Sequence, residues 1–125
     1  MSATDVVDAF IAAIEAKDID AAVALVSDDC EYDNVPMGKV FGPAGIKELL
    51  EPFTASCTAI EWVVHRQVGA ERTVFNERLD RFQMPTGWIE LPVAGVFEVS
   101  DGKISLWRDY FDLATFQDQM AAPPT

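Results

Sequence analysis

Positive charge is scarce in this chain. Nine Lys and Arg face 21 Asp and Glu over 125 residues, for a formal net charge of −12. The basic residues form no run and no basic helix face, so the footprint that releases counterions from a phosphate backbone or an anionic bilayer is missing. Binding to nucleic acid or to a membrane surface is therefore disfavoured. Histidine occurs once, as His65, and cysteine twice, as Cys30 and Cys57. A metal site needs several N, S or O ligands that converge. One His and two distant Cys with no matching spacing predict none, and no Ser or Cys stands beside a histidine as a nucleophile. A disulfide between the cysteines is possible on paper, but a core this size does not need one, and both read as small apolar residues. The stretch Gly42-Pro43-Ala44-Gly45 lacks the spacing of a phosphate-binding loop. Long apolar runs are also missing. The first such stretch is broken by Asp8 and Glu15, and the opening Met1 to Asp5 has no basic residue. Neither a signal peptide nor a membrane span is expected, which points to the cytoplasm.

What is present is a strong apolar pattern. Half the residues are hydrophobic and 24% are charged, too apolar for a disordered polymer and of a length for one domain, 1–125. An eight-unit βα barrel, at roughly 250 residues, is out of reach. Val6, Val7, Phe10, Ile11 and Ile14 recur at helical spacing behind Ser2 or Thr4 as a cap. Ala21 to Val26 predicts a short second helix ending near Ser27-Asp28-Asp29. Cys30 to Met37 alternates as a short strand. Gly42-Pro43 opens a third helix carrying Ile46, Leu49, Leu50 and Phe53, which stops before Cys57. The period then changes from helical to alternating. Strands are predicted at Ala59–Val68 (broken by Gly69), Thr73–Met84, Trp88–Val99 and Lys103–Phe111, with turns at Pro85-Thr86-Gly87 and Asp101-Gly102. Asp112 caps a short helix, Leu113–Met120, and Ala121 to Pro124 is expected to fray. Helices followed by a meander of long antiparallel strands make an α+β domain, with the helices covering one curved sheet. A hollow between them is a natural small-molecule site.

Strands in this pattern carry polar pairs at i, i+2 spacing: Tyr32 with Asn34, Arg78 with Asp80, and Trp107 with Asp109. Period-two geometry puts both members of each pair on one face. Arg78 and Asp80 share theirs with Val74, Phe82 and Met84, and Trp107 and Asp109 share theirs with Phe111. Ionisable groups flanked by apolar ones suggest a pocket that shifts their pKa values. The same residues also fit an ordinary surface ion-pair set. The opposite face of that strand (Phe75, Glu77, Leu79, Arg81, Gln83) is equally mixed, so alternation leaves both readings open. His65, Trp62 and Trp88 read as strand, packing or interface residues, and the acidic first third reads as solvated helix face.

Three stretches together resemble the limonene-1,2-epoxide hydrolases: Glu31-Tyr32-Asp33-Asn34-Val35-Pro36; Asn76-Glu77-Arg78-Leu79-Asp80; and Gly95-Val96-Phe97 continuing to Trp107-Arg108-Asp109-Tyr110-Phe111-Asp112. The resemblance runs over nearly the whole chain. It implies a cone-shaped, curved mixed β-sheet with N-terminal helices packed over a deep pocket, the NTF2-like fold shared with ketosteroid isomerase and polyketide cyclases. It implies Asp109 as general base, Tyr32 and Asn34 as holders of the attacking water, Asp80 as general acid and Arg78 between the carboxylates. Trp107 matches a residue that lines the family's site and holds the aspartate. Phe82, Leu91, Val93 and Phe111 are wall candidates for a lipophilic epoxide, each equally at home in a plain core. No cofactor is implied, and a homodimer is. An isomerase or cyclase on the same fold is the alternative enzyme, but it has no use for an arginine between two aspartates. A non-catalytic ligand-binding module is the alternative outside catalysis.

Overall fold

The computed structural model of the chain describes residues 1–121. Helix α1 (Ala3–Glu15) starts at Ser2, whose hydroxyl accepts from the Asp5 N–H while Asp5 bonds back to the Ser2 N–H. Of the two expected caps, Ser2 is the one used. Its apolar stripe, Val6, Val7, Phe10, Ile11 and Ile14, is buried as the spacing predicts. Helix α2 covers Ile19–Val23, with the Asp18 side chain accepting from the Ala21 N–H. It begins and ends before the expected Ala21–Val26, because Val26 already opens strand β1 (Val26–Asn34) opposite Ile104. The run Ser27-Asp28-Asp29, which resembles a helix end, is the exposed first half of that strand, displaced by an irregularity between Val26 and Glu31. Strand β1 stops at Asn34 rather than Met37, where the Met37 N–H turns back to the Asn34 carbonyl. Strand β2 (Gly38–Phe41), which the pattern did not reveal, pairs with it antiparallel.

Helix α3 (Gly42–Ala55) begins at Gly42-Pro43 as expected and tolerates Pro52. The meander follows: β3 (Ala59–Ala70), β4 (Thr73–Met84), β5 (Gly87–Ser100) and β6 (Lys103–Tyr110). Gly69 does not break β3. It is small because a Cβ there would collide with Thr4 Oγ1 on α1. Asp101 and Gly102 both take positive φ, 53° and 75°, the geometry of a tight hairpin turn. Strand β6 ends one residue before Phe111. Asp112 caps α4 (Leu113–Ala121) through the Thr115 N–H. That helix runs through Ala121, so fraying does not begin there, and the rest of the stretch expected to fray lies outside the described residues.

The six strands form one sheet in the order β2-β1-β6-β5-β4-β3. All neighbours are antiparallel except β1 and β6, which run parallel and make the sheet mixed. The sheet wraps around α1, and α3 packs against β1. Alternation along β4 is resolved by burial: Val74, Asn76, Arg78, Asp80 and Phe82 point inward, while Phe75 and Glu77 face solvent. Cys30 and Cys57 are buried and unpaired. The acidic residues Asp5, Asp8, Glu15, Asp18, Asp20, Asp28 and Asp29 are exposed, and so is His65.

Candidate active site

Four strands bring the polar pairs to one place. The parallel register sets Tyr32 beside Trp107 and Asn34 beside Asp109. The antiparallel register of β5 sets Gly95 between Asn76 on β4 and Asp109 on β6. Arg78 reaches across this group. Its Nε and Nη2 donate to the two carboxylate oxygens of Asp80 at 2.9 and 3.0 Å, a forked pairing that fixes the guanidinium plane. Nη2 also donates to Asp109 Oδ2 at 3.0 Å, and Nη1 to Asn76 Oδ1 at 2.9 Å. The Arg78 side chain is completely buried, as are those of Asp80 and Asp109 to within a few per cent. An ordinary surface ion-pair set is therefore not what these residues form.

Above them lies a cavity of about 760 Å³, its open mouth included. Tyr32, Asn34, Asp80 and Asp109 supply polar lining, and Phe82, Leu91, Val93 and Phe111 stand in the wall as expected. Arg78 and Trp107 do not line it. Arg78 sits beneath the two carboxylates. Trp107 is fully buried with its indole stacked on the Tyr32 ring, 3.5 Å between centroids and 4° between planes. It thus supports Tyr32 from behind instead of touching the cavity. The Tyr32 hydroxyl donates to Asn34 Oδ1 at 2.8 Å, which leaves the Asn34 amide N–H groups free to face a ligand. Asp109 Oδ1 is buried and accepts no hydrogen bond from the described residues, which leaves one acceptor of this carboxylate unused.

Burial pushes the Asp80 carboxyl up, to about 6, against the downward pull of Arg78, with Asp109 and Glu15 adding to the rise. Burial opposes the charge on Arg78, but Asp109 and Asp80 outweigh it and keep the guanidinium cationic. Burial and then Asp109 hold the Tyr32 phenol well above its ordinary value, so it stays a neutral hydroxyl. Two ionised aspartates and one arginine carry −1. A proton on Asp80 makes the buried set neutral, the state that desolvation favours.

Several contributors escaped the sequence pattern. Trp62, expected as packing, lines the cavity with the Arg78 guanidinium 4.7 Å from its ring centroid. Asn76 holds Arg78 from the side and is itself tied to Gln67. Phe116 on α4 meets Phe53 on α3, 6.2 Å between centroids, at the wall. Inward alternation with Ile60 was the available signal for Trp62; nothing local marked Phe116. Arg108, within the motif that carries the resemblance, points the other way and pairs with Glu31 and Asp33.

A polar cluster of this kind at the base of an apolar hollow, under a curved mixed sheet and helices, defines a small enzyme of the NTF2-like fold. An NTF2-like protein of unknown function from Cytophaga hutchinsonii superposes with a TM-score of 0.75 over 94% of this chain and 96% of its own, at 20% identity, a likeness of fold alone. The sequence model of the limonene-1,2-epoxide hydrolase catalytic domain matches residues 1–122, and the chain belongs to that family of epoxide hydrolases. Epoxide hydrolase EphG of Mycobacterium tuberculosis is 37% identical over 108 residues, 86% of this chain and 71% of the relative. The solved structure of an M. tuberculosis epoxide hydrolase of this type matches with a TM-score of 0.83 at 34% identity, covering 94% of this chain and 89% of that one. No described helix is long and apolar enough to cross a membrane.

Proposed function

We propose that the enzyme opens a lipophilic epoxide to a vicinal diol in one general acid/base step. The observation that carries this reading is the Arg78 guanidinium bonded to both Asp80 and Asp109 at the base of an otherwise apolar cavity. An epoxide oxygen leaves poorly unless it is protonated as the ring opens, and water attacks poorly unless a base takes its proton. Asp109 is the base, and its free Oδ1 accepts the proton of the attacking water. Tyr32 and Asn34 hold that water, which sets its line of attack on the ring carbon. As the new C–O bond forms, the ring C–O bond breaks, and Asp80 gives its proton to the departing oxygen. The diol leaves with Asp109 protonated and Asp80 ionised; exchange with solvent resets the pair. Arg78 stays cationic throughout and steadies whichever carboxylate bears the charge. Phe82, Leu91, Val93 and Phe111 pack the hydrocarbon body, and the one cation is already committed, so charged substrates find no partner.

Diol formation from a panel of apolar epoxides, with no additive beyond buffer, tests the activity. A single turnover in oxygen-18 water tests the mechanism. Label in the first diol supports direct attack by water; an unlabelled first diol, its oxygen drawn from a carboxylate, refutes it. We also infer a homodimer through the outer face of the sheet. Support comes from Val68, Phe75 and Tyr110, which are 68%, 55% and 47% exposed there. Val68 pairs with Phe75, Phe75 with Val96, and Ala94 with Tyr110, so the apolar residues form one continuous stripe.

A further inference from the structure

Trp62 stands directly opposite Asp80 in the β3–β4 register, so the two side chains are neighbours on the inner face. The indole is 6% exposed and lines the cavity, whereas Arg78, whose guanidinium carbon lies 4.7 Å from the ring centroid, does not line it. Trp62 therefore stands between the guanidinium and the hollow. On the protein side Phe97 lies 6.0 Å from the same carbon, so the cation is bounded by aromatic rings. The Trp62 backbone N–H donates to Glu15 Oε2 at 2.9 Å, which pins this point of β3 to the end of α1. Its Nε1–H finds no acceptor among the described residues. The side chain is thus held by what its ring covers and not by its polar atom.

We propose that Trp62 is a positioning residue for proton donation: its indole shields Arg78 and the β3 flank of Asp80 from water and so keeps Asp80 in the protonated form that the reaction consumes. The inference rests on the reading of Asp80 as general acid. A carboxyl keeps its proton in a site where its charged form is poorly solvated, and burial is the largest influence on Asp80. The charged and titratable groups that act on Asp80 are Arg78 on its own strand, Asp109 on β6, Tyr32 on β1 and Glu15 on α1. Arg78 favours the ionised form, while Asp109 and Glu15 oppose it. Replacing Trp62 removes none of these charges, although it uncovers the guanidinium that stands against its ring, and the bond to Glu15 comes from the backbone. A change in the titration of Asp80 then reports the loss of the cover.

The test is the pH profile of kcat/KM on one apolar epoxide for the wild type, Trp62→Ala and Trp62→Phe. Water admitted by Trp62→Ala lowers the acid's pKa, so the alkaline limb moves to lower pH by about one unit, a tenfold loss of rate above the limb. Trp62→Phe, which keeps an apolar ring, retains the wild-type midpoint. A Trp62→Ala limb that coincides with the wild type overturns the inference, however low its kcat. Should Trp62→Ala not fold by circular dichroism, Trp62→Gln puts a polar group in the same place and is read the same way: a lowered midpoint supports the inference and an unmoved one overturns it. Failure of the underlying reading looks different, because Asp80→Asn would then keep its activity.

Discussion

Gly95 offers the sharpest test of how tightly the site is built. A Cβ at this position would lie 2.5 Å from Arg78 Nη1, 2.9 Å from Asn76 Oδ1 and 2.9 Å from Asp109 Oδ1. Atoms do not approach so closely, and none of these three moves cheaply. Arg78 is forked onto Asp80, Asn76 is held between Arg78 and Gln67, and Asp109 is bonded to Arg78. Forcing a methyl group into a packed interior costs about 1–3 kcal/mol. Displacing one hydrogen bond to the buried cation adds roughly 1.5–3 kcal/mol. Gly95→Ala should therefore lose about 2.5–6 kcal/mol, which at about 4 °C per kcal/mol for a chain of this size is a fall in Tm of about 10–24 °C. In the folded fraction, a shift of ~1 Å in Asp109 or Arg78 lowers kcat about 100-fold. Thermal unfolding by circular dichroism and steady-state kinetics below the new transition measure both. Gly45→Ala on α3 is the control: its Cβ would meet only Val40 Cβ, at 3.7 Å. It should be unchanged in activity and more stable by about 0.5–1 kcal/mol, as expected of Gly→Ala within a helix. If Gly95→Ala keeps a Tm and a kcat close to those of the wild type, the crowded assembly of Arg78, Asn76 and Asp109 is not what the site depends on.

Asp109→Asn and Asp80→Asn should each lower kcat by about 10²–10⁴, the usual range for loss of an acid or base, with circular dichroism unchanged; full activity in both would sink the mechanism. The proposed mechanism uses the acid form of Asp80, whose pKa is raised to about 6, so it requires kcat/KM in the wild type to fall as pH rises through that region and to be restored on returning to lower pH. A profile still rising there would contradict Asp80 as the donor. Phe75→Glu puts a charge in the exposed stripe of the outer face and should convert the proposed dimer to a monomer in analytical ultracentrifugation, with the fold intact. An unaltered dimer would move the interface elsewhere.

The meander was legible because alternation along β4, β5 and β6 is sustained and its turns are marked by Gly87 and by Asp101-Gly102. The pairs Arg78/Asp80 and Tyr32/Asn34 were legible as residues sharing a face. Which face lay inside was not, since Glu77 and Arg81 on the other side of β4 are as charged as Arg78 and Asp80. That choice is made by partners distant in sequence, Asp109 from β6 and the cover of α1. Strand β2 is too short to carry a period and exists through its pairing with β1. Trp62 was obscured because the irregularity between Val64 and Arg66 interrupts the alternation of β3. Phe116 becomes wall only because α4 folds back, where Gln119 bonds the backbone of Glu90 on β5.

The parallel pairing of β1 with β6 also has a bearing on the order of assembly. Tyr32 and Asn34 come early in the chain and Arg78 and Asp80 in its middle, yet β1 has no central neighbour until the last strand arrives. Emerging from the ribosome, a chain that ends before β6 contains four of the five polar residues but leaves Arg78 with one carboxylate, a buried cation half matched. Contacts that span so much of the sequence close late and slowly. The strand that completes the sheet is also the one that delivers Asp109, so completion of the Arg78–carboxylate cluster coincides with closure of the fold. A nascent or truncated chain should remain inert, and activity itself becomes a reporter that folding has finished.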